Sequence, residues 1–444
     1  MKPAFQVIAG SILAPRGFLA SGVFSDIKRL GTGKGSDKGR KRDLALIVSE
    51  APATVAGLFT TNQVCAAPVR VCAQRVKGGV AQAIVINSGN ANACTGRQGM
   101  NDALEMTAAV ARELRLPVEH VLVGSTGRIG VPLPMANVKR GIRQAFRLLS
   151  SEPVNADHVT EAIMTSDTRP KQVAVAFKLG GKTVHLGGIC KGAGMIQPGM
   201  SRTGARPAAV PLHATMLAFL TTDVAIGAKP LQLALEEAVA RSFNRITVDG
   251  DMSTNDTVLI LANGLAENPA SGLRPPASKD FTLFQSALNY VCLELAKKIV
   301  RDGEGVSRFV TVRVTGARNF ADADAAARAV ANSALVKTSW CGGDPNWGRI
   351  IDALGYSAAR IVEGNVDLGY SAPGSRKVLW SLRRGQPTKA AFRELCAAVS
   401  AHEFDLHIRL NLGSAAATLY AADLTEEYVD FNKGDVSDPN ALGG

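Results

Sequence analysis

The stretch from Gly188 to Asp223 sets the terms for the rest of the chain. Its first half, Lys191 to Met200 (KGAGMIQPGM), is a glycine-rich turn region with one lysine and no other charge. Its second half, Ala214 to Thr221 (ATMLAFLT), is an apolar run that reads as a buried strand, headed by Ala214 and Thr215. A hydroxyl placed just before such a strand suits one chemistry. Its oxygen can attack the preceding carbonyl, shift the chain onto an ester, and let water complete the cut. Thr215 would then be a new N-terminus, with nucleophile and general base in one residue. An unperturbed α-amino group has a pKa of about 7.7–8.0, close to working pH.

The rest of the chain offers a large frame for that stretch. Its 444 residues exceed one small core and imply two or three domains or lobes. With 46% hydrophobic and 20% charged residues it reads as a soluble globular protein. No apolar run approaches the ~20 residues of a membrane span. Pro15 and Arg16 interrupt the short apolar segment near the N-terminus, and no signal cleavage site follows. A cytoplasmic protein is expected. The seven cysteines form no CxxC, and the six histidines make no metal-spaced pair with them. Reduced thiols and no metal are expected. Cys190, beside the focal turn, is a candidate thiol nucleophile, although a small buried apolar residue is the commoner role.

The net charge of +12 attracts anions. Much of it lies in Lys28–Arg42, seven basic residues among four glycines. This segment does not fit GxxxxGK[ST] and reads as a solvated loop.

Strand and helix patterns alternate along the chain. Apolar strands are expected at Asp43–Ser49, Thr54–Phe59, Ala83–Asn87 and Val121–Val123, and a hairpin at Gln172–Leu179 and Thr183–Ile189. Amphipathic helices are expected at Asp102–Leu114, Asn137–Leu149, Leu231–Phe243 and Ala321–Leu335. The class is α/β, with helices layered on mixed sheets.

Several motifs lie at expected strand ends, where α/β sheets place their sites. Ser88–Gly96 is a run of small amides and hydroxyls that cannot form a core. Ser125-Thr126-Gly127 could supply oxyanion donors through backbone N–H groups and the Thr126 hydroxyl. An ordinary glycine turn is the plainer reading. Lys191 could hold a substrate carboxylate as a point charge, or be a solvated lysine. Glu304, between two glycines, could meet an amino group. Asp249, Asp251 and Asp256 fit no calcium-loop spacing and read as capping and turn residues. His213 could assist cleavage, but a loop histidine without a role is the simpler assignment. No GxSxG elbow occurs.

Together these segments resemble one family, the ornithine acetyltransferases or glutamate N-acetyltransferases (arginine biosynthesis bifunctional proteins). They are INSGNANACTG (86–96), STGRIG (125–130), IMTSDTRPK (163–171), GGICKGAGMIQPGM (187–200), ATMLAFLTTD (214–223), FNRITVDGDMSTNDT (243–257), DGEG (302–305) and DPNWGRI (344–350). The resemblance implies an ornithine-acetyltransferase-type N-terminal-nucleophile fold. It implies self-cleavage between Ala214 and Thr215, giving an α chain (1–214) and a β chain (215–444). Thr215 would be the nucleophile and Thr126 and Gly127 the oxyanion hole. Thr165, Lys191, Thr215, Glu304 and Asn432 would bind substrate. Acetyl would pass from N-acetylornithine to the threonine and then to glutamate, and some members also accept acetyl-CoA. No metal, bound cofactor, nucleic acid or membrane is implied, and the cleaved chains would assemble as two α and two β.

The family pattern is broken in three places. The thirteen residues Ser201–His213 separate the Pro-x-Met turn from Ala214. Val436 stands where a hydroxyl residue is expected, with Ser437 beside it. The basic loop at 28–42 is longer than usual. Two other readings share parts of the sequence. One is an N-terminal-nucleophile amidase or aminopeptidase passing the acyl group to water. The other is an uncleaved basic protein binding anions or nucleic acid through Lys28–Arg42.

Overall fold

A computed structural model describes residues 4–28, 41–203, 216–275 and 278–433. The chain divides into two compact units, one within Met1–Asn244 and Asp251–Ile299, the other from Arg245–Gly250 and Val300–Lys433. The expected class holds in both: each is a mixed sheet with helices.

The first nine strands belong to the first unit. They are β1 (Gln6–Ile8), β2 (Phe18–Val23), β3 (Leu44–Thr60), β4 (Val80–Asn90), β5 (Val121–Arg128), β6 (Lys171–Leu179), β7 (Lys182–Lys191), β8 (Met200–Ser201) and β9 (Leu217–Thr222). β10 (Ile246–Thr247) lies in the second unit, and β11 (Thr257–Ala262) returns to the first. Among the described residues this makes a ten-stranded sheet in the order β1-β6-β7-β9-β11-β3-β4-β5, with β2 and β8 paired to β3. Two pairings fix its mixed character. β4 and β5 run parallel, and so do β9 and β11. The two expected strands at 43–49 and 54–59 are one strand, β3. Pro52 interrupts its ladder, and the register to β4 shifts between Val48 and Ala53. A proline lacks the N–H a ladder needs, so strands carry one at bulges or edges.

Helices α1 (Ala67–Arg75), α2 (Gly96–Leu114), α3 (Met135–Arg147) and α4 (Pro153–Ile163) bury Val69, Met106, Ile142 and Val159 in one core with Ile47, Ile84 and Val123 of the sheet. Neighbouring residues of a strand point to opposite faces. On β7, a Cβ on Gly187 would lie 1.8 Å from the Ser11 carbonyl oxygen. A Cβ on Gly188 would lie 2.9 Å from Leu295, which belongs to the helix Lys279–Arg301. The glycine pair thus lets both layers close on the strand that leads to Lys191.

The second unit carries a seven-stranded sheet among its described residues. Its outer strand β10 runs parallel to the strand Ala415–Ala422, and Phe309–Ala317 runs parallel to Glu403–Arg409. Trp340, Tyr370 and Phe404 meet edge-on in its core. The DPNWGRI motif is a helix start: the Asn346 side chain accepts the Arg349 N–H at 3.1 Å and caps Trp347–Gly355. No helix among the described residues is long and apolar enough to cross a membrane.

Candidate active site

The end of the β4–β5 pair is built from small polar side chains. Parallel register sets Asn87 opposite Ser125, Ser88 opposite Thr126, and Gly89 opposite Gly127. The Ser125 hydroxyl donates to Asn87 Oδ1 at 2.6 Å, and Asn87 Nδ2 donates to the Asn90 carbonyl at 2.8 Å. Asn255 donates to the carbonyls of Ala91 and Ser125, at 2.7 and 2.8 Å. Sequence composition argued that the 88–96 run could not enter a core. It is largely buried, because its polar groups satisfy one another and the strand continues to Asn90. Gly127 has φ +130°, and a Cβ there would sit 2.3 Å from the Gly89 carbonyl carbon. The strands can close here only because the residue is glycine.

Lys191 is neither solvated nor in the turn. It is the last residue of β7 and only 3% exposed. Its Nζ donates to Thr126 Oγ1 at 3.3 Å and lies 3.9 Å from Asp167 Oδ2. Asp167, also buried, accepts from Lys171 Nζ at 2.6 Å, from the Gly192 N–H at 2.7 Å and from the Thr165 N–H at 3.0 Å. Burial acts to raise its pKa, but the charges of Lys171 and Lys191 and the hydrogen bonds outweigh it and hold the carboxyl well below its ordinary range. Lys28, expected in a solvated loop, is half-buried and donates to the Arg42 carbonyl at 2.7 Å. Burial lowers its pKa to about 8 against the opposing pull of Asp43 and Asp167.

A fourth segment reaches the same place. β9 pairs with β7 so that Leu217 faces Lys191, and the buried Met216 comes just before it. The Met216 N–H donates to Asp256 Oδ1 at 2.5 Å, and the Thr257 N–H donates to the Met216 carbonyl at 3.1 Å. Asp256 is therefore no turn residue. It is fully buried, and its Oδ2 has no hydrogen-bond partner among the described residues. Burial pushes its pKa well up, opposed by the Met216 hydrogen bond and the charge of Lys191. Sequence reasoning gave Asp167 no role and read Asp256 as a capping or turn residue. The signal available for Asp167 was its place between Thr165 and Lys171 in the TSDTRPK motif.

Thr126, Gly127, Thr165 and Lys191 are thus brought together in the first unit. Ala214, Thr215 and His213 lie outside the described residues, as do Val436, Ser437, residues 29–40 of the basic loop and 204–213 of the insertion. Glu304 and Asn432 lie in the second unit, where Asn432 Nδ2 donates to Glu304 Oε2 at 3.0 Å. Cys190 is fully buried, its thiol donating to the Leu295 carbonyl at 3.5 Å, and burial drives its pKa up. It is no thiolate nucleophile. Among the described residues, no group of three His, Cys, Asp or Glu side chains could hold a metal.

Residues 29–434 match the ArgJ family. The chain belongs to the ArgJ family. An arginine biosynthesis bifunctional protein ArgJ from Symbiobacterium thermophilum is 47% identical over 427 residues, 96% of this chain and 98% of that one. A glutamate N-acetyltransferase from Methanocaldococcus jannaschii is 42% identical over 432 residues, 96% of this chain and 98% of that one. Among solved structures, an ornithine acetyltransferase from Mycobacterium tuberculosis, complexed with ornithine, is 37% identical. It matches with TM-score 0.40 over 44% of this chain and 100% of its own. ArgJ proteins are acyltransferases of arginine biosynthesis, and that class applies to this chain.

Proposed function

We propose that the chain is a self-cleaving acetyltransferase that moves acetyl from N-acetylornithine to glutamate, giving ornithine and N-acetylglutamate. Cleavage between Ala214 and Thr215 divides it into an α chain (1–214) and a β chain (215–444). The observation that carries this reading is the bond from Lys191 to Thr126 beside Met216, the residue that follows Thr215.

In the first half-reaction the Thr215 hydroxyl attacks the acetyl carbonyl of N-acetylornithine, and the Thr215 amine takes the hydroxyl proton. Lys191 donates to Thr126 Oγ1, so the hydroxyl hydrogen of Thr126 is free to point at the developing oxyanion. The Gly127 N–H is the second donor in this reading. The tetrahedral adduct collapses, the C–N bond breaks, and the proton leaves with ornithine. The amine of glutamate then attacks the acetyl-threonine ester by the same route in reverse. Lys191 and Thr165 are the contacts for the substrate carboxylate, and the family pattern assigns Glu304 and Asn432 to substrate as well. The family pattern also supports two α and two β chains and a cytoplasmic enzyme.

Incubation with N-acetylornithine and glutamate tests the reading. Ornithine and N-acetylglutamate should appear in equal amounts. Acetate release without N-acetylglutamate would instead mark an amidase. Replacing N-acetylornithine with acetyl-CoA in the same assay tests the second acetylation implied by the name of the Symbiobacterium relative.

A further inference from the structure

Self-cleavage needs a base that later turnover does not. An N-terminal threonine uses its own amine, but before the cut that nitrogen belongs to the Ala214–Thr215 amide and has no basic lone pair. Another group must take the hydroxyl proton and return one to the departing nitrogen. It must be held close to residue 215, have an open oxygen, and be poised nearer neutrality than an exposed carboxylate.

Asp256 meets these conditions on described atoms. Its Oδ1 is fixed at 2.5 Å by the Met216 nitrogen, which is covalently bonded to the Thr215 carbonyl carbon. Its Oδ2 is buried with no hydrogen-bond partner among the described residues. A buried polar atom left without a partner is destabilising, so such atoms call for an explanation. The nearby alternative, Asp167, has its oxygens engaged by Lys171, Gly192 and Thr165. Burial raises the Asp256 pKa. Lys191, reaching in from β7, is the charged group that acts on it among the described residues.

We propose that Asp256 is the proton carrier of self-cleavage, an inference that rests on the cleavage proposed above. The Thr215 oxygen bonds to the Ala214 carbonyl carbon while its proton passes to Asp256 Oδ2. The tetrahedral adduct then breaks its C–N bond, and Asp256 gives that proton to the Thr215 nitrogen. This leaves an ester and a free amine, with Asp256 again a carboxylate. Water then hydrolyses the ester, giving the Ala214 carboxylate and restoring the threonine hydroxyl.

The test is cell-free synthesis of the full chain, with the uncut and cut forms followed by mass over time. Asp256→Asn keeps an acceptor for the Met216 N–H but cannot carry the proton, and its cleavage should slow by about 100-fold or more. In the wild type the rate should climb with pH through a value above the ordinary carboxylate range and then level off. Cleavage of a folded Asp256→Asn chain at the wild-type rate would overturn the assignment to Asp256 while leaving self-cleavage intact. If that variant does not fold, the wild-type profile decides, and a rate that is flat between about pH 5 and 9 overturns the assignment. A wild type that never cuts at Ala214–Thr215 overturns the proposed function, and this step with it.

Discussion

Asp167 shows how much one carboxylate can set at this site. It holds two lysines and two backbone N–H groups, and both Thr165 and Lys191 depend on it. Asp167→Asn should both raise KM for N-acetylornithine and lower kcat, because it disturbs Thr165 and Lys191, and Lys191 orients the Thr126 hydroxyl toward the oxyanion as well as holding substrate. It also removes the buried carboxylate that pairs with Lys171 and lies 3.9 Å from Lys191, a loss of about 3–5 kcal/mol measurable by denaturant unfolding. The pH dependence has a definite sign. The folded carboxyl has a lowered pKa, so its stabilisation is complete above the unfolded value of about 3.9 and fades as pH falls toward the folded value. The variant should lack that component of acid sensitivity. At this scale the sequence was only partly legible. Thr126, Gly127, Thr165 and Lys191 stood in quotable motifs. The burial of Lys191 and the roles of Asp167 and Asp256 depend on strands far apart in the chain, which spacing does not report.

At the scale of elements, the parallel β4–β5 pair carries the candidate oxyanion donors on a rigid ladder rather than on a loop. Gly127→Ala would place a Cβ 2.3 Å from the Gly89 carbonyl carbon and 2.5 Å from the Asn90 nitrogen. The strands would have to part. We expect a lower melting temperature and, by displacement of one oxyanion donor, a fall in kcat of about 10²–10³ in the acetyl-transfer assay. The strands and helices were readable because their apolar periodicity is strong, but their ends were not. The Val121–Val123 strand runs on through Arg128, and Ala83–Asn87 runs on to Asn90. In both cases polar residues extend a strand because neighbouring side chains satisfy them. Ala321–Leu335 is two helices, since Ser333 caps a new one by accepting the Val336 N–H at 3.3 Å.

At the scale of the whole molecule, the proposed cut passes through a shared sheet. β9 would begin the β chain, yet it lies between β7 of the α chain and β11 of the β chain, and β11 in turn pairs with β3 of the α chain. The two products should therefore co-elute on size exclusion and separate only in denaturant. Separation under native conditions would contradict this topology. The central claim concerns Thr215, and one measurement reaches it. The enzyme is given N-acetylornithine without glutamate, quenched in acid, and the mass of its 215–444 fragment determined. The account predicts one added acetyl group on that fragment, lost when glutamate is supplied and never gained by Thr215→Ala. Turnover by an uncut chain, or an active fragment that never carries acetyl, would contradict it.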